Sequence, residues 1–110
     1  MRVLYISGSP RKRSNTDYLL ELMLSITGGQ FVKLSDYHIE PCKACGACLR
    51  LDQCTLDDAM THVLIPQLLA ADALVLGSPV YFNNVSAQLK AFMDRTWCLK
   101  GKLNNKIGGA

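Results

Sequence analysis

Two apolar runs, Arg2 to Ile6 and Asp72 to Leu76, are each followed by Gly-Ser-Pro, at Gly8-Ser9-Pro10 and Gly77-Ser78-Pro79. A β-rich run that stops at such a turn reads as a buried strand. Helical spacing follows both turns. After the first, Ser14 is a natural N-cap with Asp17 three residues on, in the manner of a capping box. Tyr18, Leu19, Leu22, Met23 and Ile26 then recur at helical spacing until Gly28-Gly29 ends the helix. After the second, Asn84 or Ser86 caps a helix whose stripe is Leu89, Phe92, Met93 and Trp97. Between them lie a short strand, Gln30 to Leu34, and a helix opened by Thr55 and Asp58 that runs toward Leu69, with Pro66 set to kink it. Strands alternating with helices predict a parallel sheet covered on both faces. In such sheets ligands bind where the chain leaves the carboxyl ends of the strands.

The chain of 110 residues is sized for one domain, residues 1–110, and no linker divides it. Its closing residues, Lys106 to Ala110, read as the start of a fourth strand, without which the third would be an open edge. This predicts a C-terminally incomplete chain, the alternative being a frayed natural tail. With 49% hydrophobic residues the chain can build a core. A net charge of +3, clustered only at Arg11-Lys12-Arg13, is too small to argue for nucleic acid and suits a local phosphate. The apolar N-terminal run is too short for a signal peptide or membrane span, so a cytoplasmic location is expected.

In that compartment five cysteines point to metal, cluster or redox chemistry before disulfides. Cys42, Cys45, Cys48 and Cys54 form C-x2-C-x2-C-x5-C, a spacing that lets one loop, 41–54, curl its thiolates around an inorganic centre. Pro41 stiffens the start of the loop, and Ala44, Gly46 and Ala47 leave room for a core. Three readings compete: a 4Fe-4S cluster on all four thiolates, a cysteine loop without a cluster, and zinc, which more often takes two distant ligand pairs. Cys98 stands apart as a small buried hydrophobe. His38 and His62 have no partner pattern and read as core or surface residues.

The turn Ser7 to Thr16 offers hydroxyls, backbone N–H groups and a positive helix end to one point, the chemistry a phosphate dianion needs. It is neither a Walker loop nor the three-glycine dinucleotide fingerprint, and it suits a single terminal phosphate. An ordinary capped loop with solvated arginines would also have this composition. The second turn, Pro79-Val80-Tyr81-Phe82-Asn83-Asn84, mixes apolar, aromatic and amide groups that suit a flat heterocycle. Tyr81 and Phe82 cannot easily face the same way, so at least one should be exposed. Lys90, Asp94 and Arg95 read as the solvated or subunit-facing side of the last helix.

GSPRKRSNT, the four-cysteine run and GSPVYFNNVSAQLKAFMDR, in that order, resemble the flavodoxin-like NAD(P)H-dependent FMN reductase family, and within it the iron–sulfur flavoproteins. The resemblance covers the whole chain. It implies an α/β, three-layer, doubly wound parallel sheet of order 2-1-3-4-5, here without its last strand or strands, with FMN between strands one and three. It implies that Ser9, Arg11, Ser14, Asn15 and Thr16 hold the FMN phosphate, that Pro79, Val80, Tyr81, Phe82 and Asn83 lie along the flavin ring, and that the protein forms dimers or tetramers. It also implies flavin-pocket segments beyond the fourth strand. The function expected is an FMN-dependent oxidoreductase passing electrons between a one-electron carrier such as ferredoxin and a small-molecule two-electron acceptor. The alternatives are an NAD(P)H-dependent FMN or quinone reductase without a cluster, and a non-enzymatic flavodoxin-type electron carrier.

Overall fold

The computed structural model, which describes all 110 residues, places β1 (Val3–Ser7), β2 (Gln30–Lys33), β3 (Ala73–Gly77) and β4 (Ile107–Gly109) in one parallel sheet of order β2-β1-β3-β4. The order agrees with the expected doubly wound sheet, and the residues after Lys106 do form a fourth strand beside β3. Register assigns the faces, because successive side chains alternate. Ser7 pairs with Lys33 and Gly77, and Ile6 with Val32 and Leu76. Leu4, Ile6 and Val32 therefore share one face and join Met60, Leu64, Leu68, Leu89 and Phe92 in the core. Tyr5, Ser7 and Lys33 point to the other face, under helix α1 (Asn15–Thr27), where Tyr5 Oη and Thr27 Oγ1 are hydrogen-bonded at 2.5 Å.

Ser14 caps α1, its Oγ accepting from Asp17 N at 3.0 Å, and Gly28 ends it at φ 70°. The buried side of α1 differs from its apolar stripe. Tyr18, Leu19, Leu22, Met23 and Ile26 are exposed, while Asp17 and Leu20 are buried. The sheet face beneath is partly polar, at Ser7 and Lys33, so it takes the carboxylate; no element of these residues lies over the outer stripe. The Asp17 carboxylate does not close a capping box but turns to Ser7 Oγ and Lys33 Nζ.

A five-residue helix, α2 (Ala47–Leu51), lies within the cysteine loop between left-handed Gly46 and Asp52. The next helix starts at Asp58, whose Oδ1 accepts from Thr61 N at 3.3 Å, so Thr55 is not its cap. A wide π turn, Met60–Leu64, leads into α3 (Ile65–Ala70). Pro66 follows this π turn, which interrupts the regular hydrogen-bond ladder where its missing N–H would fall, the break the sequence predicts. Helix α4 (Ala87–Asp94) is capped by Ser86, which accepts from Leu89 N at 3.2 Å, and continues as a 3-10 turn, Arg95–Leu99. Of its predicted stripe, Leu89 and Phe92 are buried and Met93 and Trp97 are exposed. No helix is long and apolar enough to cross a membrane.

Candidate functional site

The two Gly-Ser-Pro turns leave adjacent parallel strands at the same end and are bonded to each other. Gly8 N donates to Gly77 O at 2.8 Å, Ser86 Oγ donates to Gly8 O at 2.6 Å, and Ser86 N donates to Ser78 Oγ at 2.9 Å. This close approach explains Gly8. A Cβ there would stand 2.8 Å from both Leu89 Cβ and Ser86 Oγ. Both turns thus open on one crevice, as the strand pattern predicts.

On the first side of the crevice, Ser9 is 1% exposed and its Oγ accepts from Arg11 N at 3.3 Å, leaving its own proton for another acceptor. Asn15 and Thr16 occupy the first turn of α1, whose N–H groups have no intrahelical acceptor. Arg11 is exposed. Beneath these residues lies a network the sequence reading missed. Asp17 accepts from Ser7 Oγ and pairs with Lys33, and Lys33 Nζ also donates to Arg11 O at 2.6 Å. The pair spans two elements, and its only sequence signal is an Asp in the buried register of α1.

On the second side, Tyr81 and Asn84 exchange backbone hydrogen bonds at 2.9 and 3.0 Å across Phe82 and Asn83, whose φ values are 51° and 62°. Two left-handed residues in succession make the tight turn that normally selects Asn or Gly. At Phe82 that backbone is strained. The Phe82 ring is fully exposed and Tyr81 and Val80 are also exposed, which meets the expectation that one aromatic faces outward. A cavity of about 290 Å³ touches Pro79, Val80 and Asn83. Next to it an apolar groove of about 610 Å³ begins at Thr16, Ser78 and Val85 but is walled mainly by α1 (Leu19, Leu20, Met23) and the β3–β4 edge as far as Gly109. Thr16 and Ser78, from the two turns, both line this groove. The donors and the apolar surface fit a phosphate-bearing flat ligand such as FMN.

Cys42, Cys45, Cys48 and Cys54 line a single separate cavity of about 290 Å³, with Leu49, Leu56 and Trp97 as apolar wall. All are free thiols. Cys42 and Cys45 are exposed, whereas Cys48 and Cys54 are half-buried against the core. Ala44 and Gly46, both left-handed, curl the loop. The Ala47 backbone N–H, the largest cause, holds the Cys45 thiol below its ordinary pKa. The thiols surround a space without three of them converging as ligands of one ion. That arrangement, an all-thiol donor set around a shared cavity, fits a multi-iron core in which each iron takes one thiolate. It fits tetrahedral zinc less well. Cys98 is buried outside this cavity, its Sγ donating to Arg95 O at 3.5 Å, and burial pushes its thiol pKa up.

Arg95 is not on the solvated side of its helix. It is 2% exposed, whereas Lys90 and Asp94 form an exposed ion pair. Arg95 Nη1 donates to Asp58 Oδ2 and Glu40 O, both at 2.7 Å. Nη2 donates to Asp58 Oδ1 at 2.9 Å and Thr61 Oγ1 at 3.0 Å. Glu40 N donates to Asp58 Oδ2 at 2.9 Å, so the pair fastens both ends of the loop that carries the cysteines. The guanidinium hydrogen bonds hold the Asp58 carboxyl well below the usual range, and Asp58 in turn raises the Arg95 pKa. His38 and His62 are surface residues paired with Glu40 and Asp57.

The profile of the NADPH-dependent FMN reductase family matches residues 1–110. An iron-sulfur flavoprotein of Methanocaldococcus jannaschii is 40% identical over the whole chain, which covers 60% of that protein. One of Methanosarcina thermophila is 39% identical, again over the whole chain and 61% of its own length. The chain thus spans about three-fifths of the length of these two relatives. In fold it is similar to an NAD(P)H:quinone oxidoreductase from Methanothermobacter marburgensis, with TM-score 0.66 at 22% identity over 88% of this chain and 53% of that one. It is also similar to the apo form of an NADH:FMN oxidoreductase, with TM-score 0.62 at 24% identity over 97% of this chain and 55% of that one.

Proposed function

Since the chain belongs to the NADPH-dependent FMN reductase family, we propose that it forms the flavin- and cluster-binding part of an iron–sulfur flavoprotein, an FMN-dependent oxidoreductase passing electrons between a one-electron carrier and a two-electron acceptor. One observation carries the reading. Helix α4 is stitched at its start into the seam of the two turns, and the 3-10 turn that continues it reaches the four-cysteine cavity through Trp97. The two candidate sites are therefore held by one strut.

Bound FMN exchanges one or two electrons, which lets a one-electron donor serve a two-electron acceptor. The chain needs no acid or base for this. Ser9, Ser14, Asn15 and Thr16, with the N-terminus of α1, hold the phosphate dianion, and Arg11 adds charge. Pro79, Val80, Tyr81, Phe82 and Asn83 border the ring and limit water on that side. Cys42, Cys45, Cys48 and Cys54 hold a 4Fe-4S cluster. Ferredoxin or NAD(P)H is the proposed donor, a small molecule the acceptor, and the assembly a homo-oligomer.

Iron, acid-labile sulfide and FMN are measured on full-length protein purified without oxygen. Iron and sulfide near four per chain, with flavin reduced by ferredoxin, support the proposal. No iron, with rapid flavin bleaching by NAD(P)H, selects instead a reductase without a cluster.

A further inference from the structure

We infer that Arg95 is a positioning residue of the cysteine loop, clamping its two ends through Asp58 and Glu40 and offering its last N–H, on Nε, to the sulfur of Cys54. The inference rests on the cluster reading above. An arginine side chain carries five N–H donors. Four of them are satisfied within the protein by Glu40 O, both Asp58 oxygens and Thr61 Oγ1. The fifth, on Nε, is buried without a partner. Buried polar groups rarely stay unpaired, and an orphan of this kind calls for an explanation, a ligand or redox role being one. The 3-10 turn that carries Arg95 also carries Trp97, a wall of the cavity that Cys54 lines, and Cys54 is the thiolate nearest in the chain to the Asp58 end of the clamp.

A purely structural role explains this arrangement poorly. A buried ion pair is often replaced by apolar residues of similar volume without loss of stability. Arginine rather than lysine is required where a planar fork must satisfy one carboxylate twice and still present a donor sideways. Hydrogen bonds to cluster sulfurs are a principal control of reduction potential. A reduced cluster carries one more negative charge, which a cation and an N–H at Cys54 stabilise. The clamp therefore sets where Cys54 stands and biases the centre toward its reduced form.

The test uses full-length protein purified without oxygen. Arg95→Lys keeps the charge but loses the Nε donor, and Asp58→Asn/Arg95→Gln keeps a hydrogen-bonded pair without charge, avoiding an orphaned carboxylate. Both lose the Nε donor and should lower the cluster midpoint potential. The expected shift is about tenfold in the reduction equilibrium, or about 59 mV for one electron. Iron loss to a chelator should also quicken several-fold. In unmutated protein labelled with nitrogen-15 arginine, one Nε–H resonance should be displaced by the cluster and move with its oxidation state, which requires no variant to fold. Unchanged potentials at full iron content, or no such resonance, overturn the assignment of Arg95 while leaving the cluster in place. Absence of iron and sulfide from the unmutated protein overturns the cluster reading first, and this inference with it.

Discussion

Gly8→Ala tests the seam on which the flavin crevice depends. The added methyl meets Leu89 Cβ and Ser86 Oγ at 2.8 Å, far inside the ordinary carbon contact of about 3.5–4.0 Å. Leu89 Cβ is fixed to the backbone of α4 and cannot swing aside, so the helix or the turn must shift. Overpacking of this sort costs about 1–3 kcal/mol. The shift also strains the bond from Ser86 Oγ to Gly8 O, worth about 1 kcal/mol. Lower unfolded-state entropy with alanine returns about 0.4–1 kcal/mol. The net loss is about 1–3.6 kcal/mol, and at about 4–8 °C per kcal/mol for a domain near this size the melting temperature falls by roughly 4–29 °C. Thermal denaturation followed by circular dichroism measures it, and a flavin-fluorescence titration should show weaker FMN binding in the same variant. Gly108→Ala, whose methyl meets nothing within 4 Å, is the control and should melt like the unmutated protein. If Gly8→Ala melts within a degree or two of that control, the turns are not packed as described.

Lys33→Met leaves the Asp17 carboxylate buried beside Ser7 with no cation, at a cost of about 3–5 kcal/mol in urea unfolding; Asp17→Asn/Lys33→Met should recover most of it, and a loss below about 1 kcal/mol for the single variant refutes the pair. Because Arg95 depresses the Asp58 pKa in the folded state, the pair's contribution is complete above the unfolded carboxylate value of about 3.9 and is lost as pH falls below it toward the folded value. The stability advantage of the unmutated protein over Asp58→Asn/Arg95→Gln should thus be flat from neutral pH to about 5 and shrink below about 4, whereas a constant difference through that range argues against the linkage. In iron-free protein at neutral pH, Cys45, exposed and with its thiol pKa lowered chiefly by the Ala47 N–H, should be alkylated first and buried Cys98 last, as read by mass spectrometry; equal labelling would contradict both assignments.

The strands and the turn positions were legible because their signals are local. An apolar run closed by Gly-Ser-Pro carries its own boundary, and Ser14 and Ser86 cap within three residues of themselves. What escaped detection depends on partners distant in sequence. The stripe on α1 was recognisable as apolar, but spacing alone does not say which face the sheet will take, and here Asp17 and Leu20 won because Ser7 and Lys33 lie beneath. Helix α2 is too short for periodicity to register. Arg95 read as solvated since charged residues are almost never fully buried unless paired, and its partner lies 37 positions away. The four-cysteine spacing identified a shared cavity, while the clamp behind it left no trace in the spacing.

Those long-range contacts explain why the two candidate sites are mechanically one. Ser86 and Arg95 stand nine residues apart, about 13 Å along a helix, and both are buried polar groups. Ser86 binds Gly8 O and Ser78 Oγ from the two crevice turns. Arg95 binds Glu40, Asp58 and Thr61 on the margins of the cysteine loop. Between them Leu89 and Phe92 anchor the helix in the core. A shaft fastened at both ends and its middle cannot slide without breaking buried hydrogen bonds at one terminus. The separation of crevice and cysteine cavity is thereby set by the length of α4 rather than by the loops themselves. A change that bends those loops but spares Ser86, Leu89 and Arg95 leaves this spacing intact. The methyl of Gly8→Ala, pressing on Leu89, acts on the spacing directly, so its effect should reach the cysteine cavity as well as the flavin crevice.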